Sequence, residues 1–243
     1  MLFSFTTMLR TLPGPLAILL LAWWSIHVLP SLPDNFQSLL VMAPFAGAAL
    51  VLAVALLFNQ SRFLFLAMLL SISYLVLLRA RAESESFQAE IFFIVYTCLL
   101  PLNLTVFSTI KERGIFNGRN VVLTGILLAQ GALLLAILQN QPEALQQFMA
   151  DWLPAAAGTR FPLAGTVLFI VAAAWLGVRL WRHPTPLNAG LLLLLPTVAA
   201  AALWQQIPAA PEVFLTAAGT ILLLAMLLES HRIAHRDDLT GLL

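Results

Sequence analysis

The chain has 243 residues, of which 61% are hydrophobic and only 9% charged, with a formal net charge of +1. A soluble domain carries about 25% charged residues, so a soluble globular chain is excluded. The small net charge and the lack of a basic tract offer no footprint for nucleic acid.

Apolar runs recur along the whole length, and about 20 apolar residues suffice to cross the ~30 Å hydrocarbon core as a helix. The predicted fold class is therefore all-α: a polytopic membrane helix bundle of about eight transmembrane helices. The spans are placed at 15–32, 39–58, 63–78, 87–110, 121–138, 163–180, 187–204 and 213–228. The first follows Arg10 and contains the bulky pair Trp23-Trp24 without a small-x-small cleavage site, so it reads as a retained span and not as a signal peptide. The third is short, which leaves open a re-entrant pair with the fourth.

An intramembrane proline frees a backbone carbonyl and marks a kink or cavity. Pro44, Pro101 and Pro196 fall within spans. Asn103 and Thr105 follow Pro101, and Thr197 follows Pro196. A membrane pocket framed by these residues and a static packing kink both fit the pattern. Glu90 enters the fourth span ahead of Tyr96 and Cys98, and His27 lies near the end of the first. Both suit snorkelling groups at the interface. The lone cysteine, Cys98, cannot form an intrachain disulfide and reads as a small buried hydrophobe. Small residues four apart, at Gly125/Ala129, Ala132/Ala136 and Ala173/Gly177, permit close helix approach within or between protomers.

One long connection, 140–162, carries Leu145, Phe148, Met149 and Trp152 at helical spacing. It reads as a short amphipathic helix on the outer membrane face, either a lid over an outward-facing site or an interfacial connector. No Glu-x-x-His or Cys-x-x-Cys spacing occurs, and no metal site is expected. His231 and His235, flanked by Arg232 and Arg236, read as solvated. The inverted repeat typical of many transporters is not evident.

With the amino terminus in the cytoplasm, nine Arg and Lys residues fall inside (Arg10, Arg62, Lys111, Arg113, Arg119, Arg179, Arg182, Arg232, Arg236) and three outside (Arg79, Arg81, Arg160). Short loops obey the positive-inside rule, so both termini are expected to be cytoplasmic. The last span meets no glycine or proline from 221 to 236 and is predicted to leave the bilayer as one helix. Leu223, Leu227, Ser230 and Ala234 form a candidate seam for pairing with a second copy. The organisation expected is a membrane sensor or anchor domain over 1–228 and a cytoplasmic signalling segment over 229–243.

That segment ends in Asp237-Asp238-Leu239-Thr240-Gly241-Leu242-Leu243. It resembles the motif that opens GGDEF domains, the diguanylate cyclases: Asp-x-Leu-Thr-Gly-Leu-x-Asn-Arg. Every position present here agrees, over seven residues. The resemblance implies a parent enzyme of the bacterial inner membrane that condenses two GTP into cyclic di-GMP with Mg²⁺, as a homodimer. The catalytic body would lie beyond Leu243, so no catalytic residue and no cofactor is assigned to this chain. Asp237, Leu239, Thr240, Gly241 and Leu242 carry over only as the joint between signalling helix and catalytic domain. The stimulus, whether a ligand or a membrane-protein partner, is not indicated. The alternatives are a small transporter or permease, or a sensor module for another cytoplasmic effector. His235-Arg236-Asp237 lacks the rest of a kinase catalytic loop.

Overall fold

A computed structural model describes residues 11–31, 33–82, 87–110, 112, 114–140, 147 and 161–240. They form nine α-helices in chain order: α1 Pro13–Val28, α2 Asp34–Leu40, α3 Ala43–Leu57, α4 Ser61–Ala82, α5 Phe87–Thr109, α6 Gly118–Asn140, α7 Leu163–Arg182, α8 Pro186–Leu203 and α9 Ala210–Thr240. A 3₁₀ turn, Leu29–Ser31, follows α1.

Among the described residues, six stretches are long and apolar enough to cross a membrane: Ser38–Leu57, Ser61–Ala82, Ala89–Thr109, Leu163–Arg182, Pro186–Leu203 and Ala210–Ile233. The protein is thus an all-helical membrane bundle. The third predicted span is not short: α4 has 22 residues, about 33 Å of helix, and with α5 it makes two full-length helices instead of a re-entrant pair. The second predicted span is present as the stretch Ser38–Leu57, with its helix interrupted at Val41-Met42. The chain turns at Val41-Met42 and restarts as α3 with Pro44 in its first turn, where a missing N–H costs nothing. The Tyr74 hydroxyl of α4 donates to the Val41 carbonyl at 2.8 Å and covers the break.

Local chemistry sets the helix starts. Thr185 caps α8 by accepting the Asn188 N–H at 3.2 Å, with Pro186 next in line. Asn117 accepts the Asn120 N–H at 3.1 Å where α6 begins.

The last helix in sequence is the central one in space. α9 packs against α1, α3, α4 and α8, while α5 and α7 form a further row against α4 and α8. Close approach is permitted by small residues. A Cβ on Gly190 of α8 would come within 2.7 Å of the Ala225 Cβ of α9, and Gly219 of α9 faces the backbone of Gly47 in α3. The small pairs singled out by spacing lie elsewhere: a Cβ at Gly125 or Gly177 meets nothing within 4 Å.

Gly14 lies against Leu224, while Trp23 meets Trp204 with ring centroids 4.4 Å apart. α1 therefore runs antiparallel to α9, and the described chain enters and leaves the bundle at the same end. That end also gathers the turns between α3 and α4, between α5 and α6, and between α7 and α8. Trp204 continues the aromatic cluster at the opposite end onto Phe214 at 5.3 Å.

Candidate functional site at the exit of the last helix

Polar side chains are scarce in this chain, so their clustering at the end where α9 leaves the bundle is informative. The turn from α3 to α4 places Asn59 at φ 52, a left-handed conformation that Asn tolerates better than most residues. Its Oδ1 accepts the Ile115 N–H at 2.8 Å. Gly114, at φ 80, sits directly over Asn59: a Cβ there would come within 2.8 Å of Asn59 Nδ2. The α3–α4 turn and the α5–α6 loop thus interlock.

Glu112 of that loop is the fastener. Its carboxylate accepts the Ser61 N–H (2.9 Å) and hydroxyl (2.7 Å), the Arg62 N–H (3.1 Å) and Nε (3.3 Å), and the Gly114 N–H (3.2 Å). It caps the first turn of α4 from another element, where N–H groups lack partners and the helix dipole favours an anion. Burial opposes the charged form. The hydrogen bonds from the Ser61 hydroxyl and from the Arg62 and Ser61 backbone, with the Arg62 charge, outweigh it and hold the carboxyl below its ordinary range.

One residue earlier, Gln60 reaches the output helix. Its Nε2 donates to Ser230 Oγ at 3.0 Å, and that hydroxyl donates onward to the Met226 carbonyl at 2.9 Å. Gln60 and Glu229, the residue before Ser230, are buried, at 7% and 5% exposure. Glu229 pairs with Arg232 at 2.6 Å. Gln60 Oε1 and Glu229 Oε2 accept no hydrogen bond among the described residues. A continuous polar path therefore runs from the α5–α6 loop through the start of α4 to α9. At the other end, Arg81 of α4 pairs at 3.5 Å with the buried Glu212 in the first turn of α9. α9 is thus fastened to α4 by polar contacts near both ends.

Beyond Ser230, α9 continues as helix to Thr240, past the 221–236 that the pattern predicted. Asp237, Leu239 and Thr240 lie in this helix. Gly241 and Leu242 lie outside the described residues. The candidate pairing seam is divided. Ser230 is engaged by Gln60 and Leu223 packs against the core, which leaves Leu227 exposed, while the side chain of Ala234 lies outside the described ones.

Of the residues predicted to frame a membrane pocket, Asn103 alone lines a cavity of about 190 Å³ between α4, α5 and α6. Pro101 is buried in α5, where its carbonyl accepts the Thr105 hydroxyl at 2.7 Å. Pro196 is exposed on α8, and the buried Thr197 donates to the Leu193 carbonyl at 2.6 Å. α8 does not line that cavity. Glu90 is exposed in the first turn of α5. The predicted outer-face residues Leu145, Phe148, Met149 and Trp152 lie outside the described residues. Among the described residues, no group of three or more His, Cys, Asp or Glu side chains gathers to hold a metal.

Sequence reasoning missed Glu112, Gln60 and Gln130. Two carried a signal: Glu112 is the one acid between Lys111 and Arg113 in a basic segment, and Gln130 interrupts an apolar run, whereas Gln60 sits in the polar turn Asn59-Gln60-Ser61-Arg62.

Fold and site together define a helical membrane bundle whose central helix projects beyond the apolar layer. Comparison with protein-family models, curated proteins and solved structures finds no match to this chain.

Proposed function

We propose that this chain is the membrane sensory and dimerisation module of a diguanylate cyclase, set in the bacterial inner membrane. On this reading α1 and α6 complete eight crossings, and both ends of the chain face the cytoplasm, where the positive-inside bias places Arg62, Arg179, Arg182 and Arg232. The parent enzyme joins two GTP into cyclic di-GMP with Mg²⁺, using a catalytic domain that follows the Asp237-to-Leu242 motif. The module itself performs no chemistry.

One observation carries the reading. A helix unbroken from Ala210 to Thr240 joins the centre of the bundle to a segment resembling the opening motif of GGDEF domains. Its 31 residues extend about 47 Å at ~1.5 Å per residue, more than the ~30 Å core requires. Any change in how α1, α3, α4 and α8 pack is felt by α9 directly. The signal is then a shift between two packings of the bundle, limited to the difference in affinity that a stimulus has for the two.

The test begins with the coding sequence past residue 243. Asn-Arg directly after Leu243 and a downstream Gly-Gly-(Asp/Glu)-Glu-Phe run are expected, and a stop codon at that point sinks the assignment. In the full-length protein, inserting one or two residues between Leu228 and Asp237 turns the helix by ~100° per residue and should change cyclic di-GMP output. Output indifferent to the insertions would remove the direct-helix mechanism while leaving the enzyme class standing.

A further inference from the structure

The cavity between α4, α5 and α6 has a composition that specifies an occupant. Its walls are hydrocarbon, with Leu69, Phe92, Leu99 and Leu127 among them, and no ionisable carboxylate, amine or guanidinium lines it. Two primary amides provide its hydrogen-bonding groups: Asn103 on α5 and Gln130 on α6. The hydroxyl of Tyr96, also in the wall, is engaged by Ser73.

We propose that this cavity binds a small uncharged amphiphile, an aliphatic or single-ring body bearing one hydroxyl or carbonyl, with the polar head on the Asn103–Gln130 pair. Size sets the body. About 190 Å³ exceeds the ~150 Å³ of an engineered cavity that takes up benzene, which suits roughly ten heavy atoms. Charge is excluded by the lining, since an unpaired ion in an apolar site is strongly penalised.

The amide pair sets the head. Asn103 Nδ2 donates to Gln130 Oε1 at 3.2 Å, while the return contact is stretched to 3.5 Å. Two primary amides hold four N–H donors between them, so at least two remain for a ligand at a depth where lipid tails offer no acceptor. A lipid tail fills the hydrocarbon volume but leaves those donors unmatched. A hydroxyl or carbonyl head matches them.

The helix carrying Gln130 is the one with room to respond. α6 makes sparse contact with the other described helices, and a side chain at Gly131, in the cavity wall, would meet nothing within 4 Å. An occupant bridging Gln130 and Asn103 draws α6 onto α5. The same movement loads the α5–α6 loop, whose Glu112 is fastened to α4 beside Gln60 and Ser230. Binding stands independently of the effector: it holds whether or not the parent protein is a cyclase.

The test uses the 243-residue chain in phosphatidylcholine vesicles with a diazirine-bearing octanol as photolabel, and mass spectrometry to find the labelled peptides. Saturable labelling is expected on the segments around Phe92 to Asn103 and around Leu127 to Gly131. Excess 1-octanol should suppress it about tenfold and n-octane should not, a difference of the size one hydrogen bond produces. Gly131→Leu, which fills the space from an open position, should abolish labelling without loss of folded protein. The double variant Asn103→Leu/Gln130→Leu should lose about tenfold. Equal competition by n-octane would show a space for lipid tails only. That result, unsaturable labelling, or full labelling of Gly131→Leu overturns the proposal.

Discussion

α6 and α9 are both long helices, of 23 and 31 residues, yet the bundle treats them in opposite ways. α9 is enclosed by four helices, and 61% of its apolar stretch is buried. Ile221, Leu222, Ala225 and Met226 are almost fully covered. α6 leaves Val121, Val122, Leu128 and Leu133 open by 61% or more, packs Leu123 and Leu127 against the core, and shares an amide pair with α5. Lipid is as apolar as leucine, so helices in a membrane associate by close fit and polar contacts and not by hydrophobic burial. Small residues let α8 lie tightly on α9. α6 lacks that fit, and its glycines 125 and 131 face open space. A rigid output helix and a loosely held one are thus connected at one end through Glu112, Gln60 and Ser230.

The contrast predicts a steep gradient of mutational cost. Gly190→Leu should be the most damaging, because even a Cβ would come within 2.7 Å of Ala225. Overpacking of that kind costs about 3 kcal/mol, and the apparent melting temperature in detergent should fall sharply. Gly125→Leu on α6 should leave it nearly unchanged, and equal losses would erase the distinction between the two helices.

Next comes Glu112→Ala, which strips the first turn of α4 of its acceptor and leaves Arg62 without this partner. A loss of about 1–3 kcal/mol is expected, read by thermal unfolding. The pH dependence has a definite sign. The folded-state carboxyl is held below its ordinary range, so its contribution is present at neutral pH and disappears as pH falls through the lowered value. Glu112→Gln should flatten that acid limb, and an unchanged limb would assign it to another carboxylate.

Gln60→Leu removes the bond to Ser230 and should cost about 0.6 kcal/mol, the mean for hydrogen bonds between membrane helices. Its diagnostic effect is on coupling: in the full-length protein, the response of output to any stimulus should weaken more than stability does. Smallest of all is Asn103→Leu, expected to change stability by less than about 0.6 kcal/mol while loosening α6, as amide hydrogen exchange would register.

Much of the helical plan was legible in the sequence, because in hydrocarbon a helix must satisfy its own backbone and its length must match the bilayer. The starts of α7 and α8 follow from Pro162 and from Thr185-Pro186, and the unbroken last helix from its lack of glycine and proline. The irregularity at Val41-Met42 was signalled by Pro44, but the Tyr74 hydroxyl that takes the Val41 carbonyl was not legible, since it arrives from another helix. Asn103 was visible as a polar residue at membrane depth. Its partner Gln130 was not paired with it, because 27 residues separate the two and only the docking of α6 on α5 brings them together. Spacing of small residues pointed to Gly125 and Gly177, whereas the contacts fell on Gly190 and Gly219. In a chain so rich in alanine and leucine, periodicity cannot tell which face meets protein and which meets lipid.

The sequence by itself determined the solvent this protein lives in, its plan of long apolar helices, and the kind of domain its final motif resembles. Those follow from composition, from backbone hydrogen bonding and from a local string of residues. Only the tertiary structure decided that the last helix is the central one, that Glu112 fastens two turns together beside it, and that two distant amides share a cavity. These depend on which helices approach closely, and close approach is a property of shape shared between segments and not of any one segment.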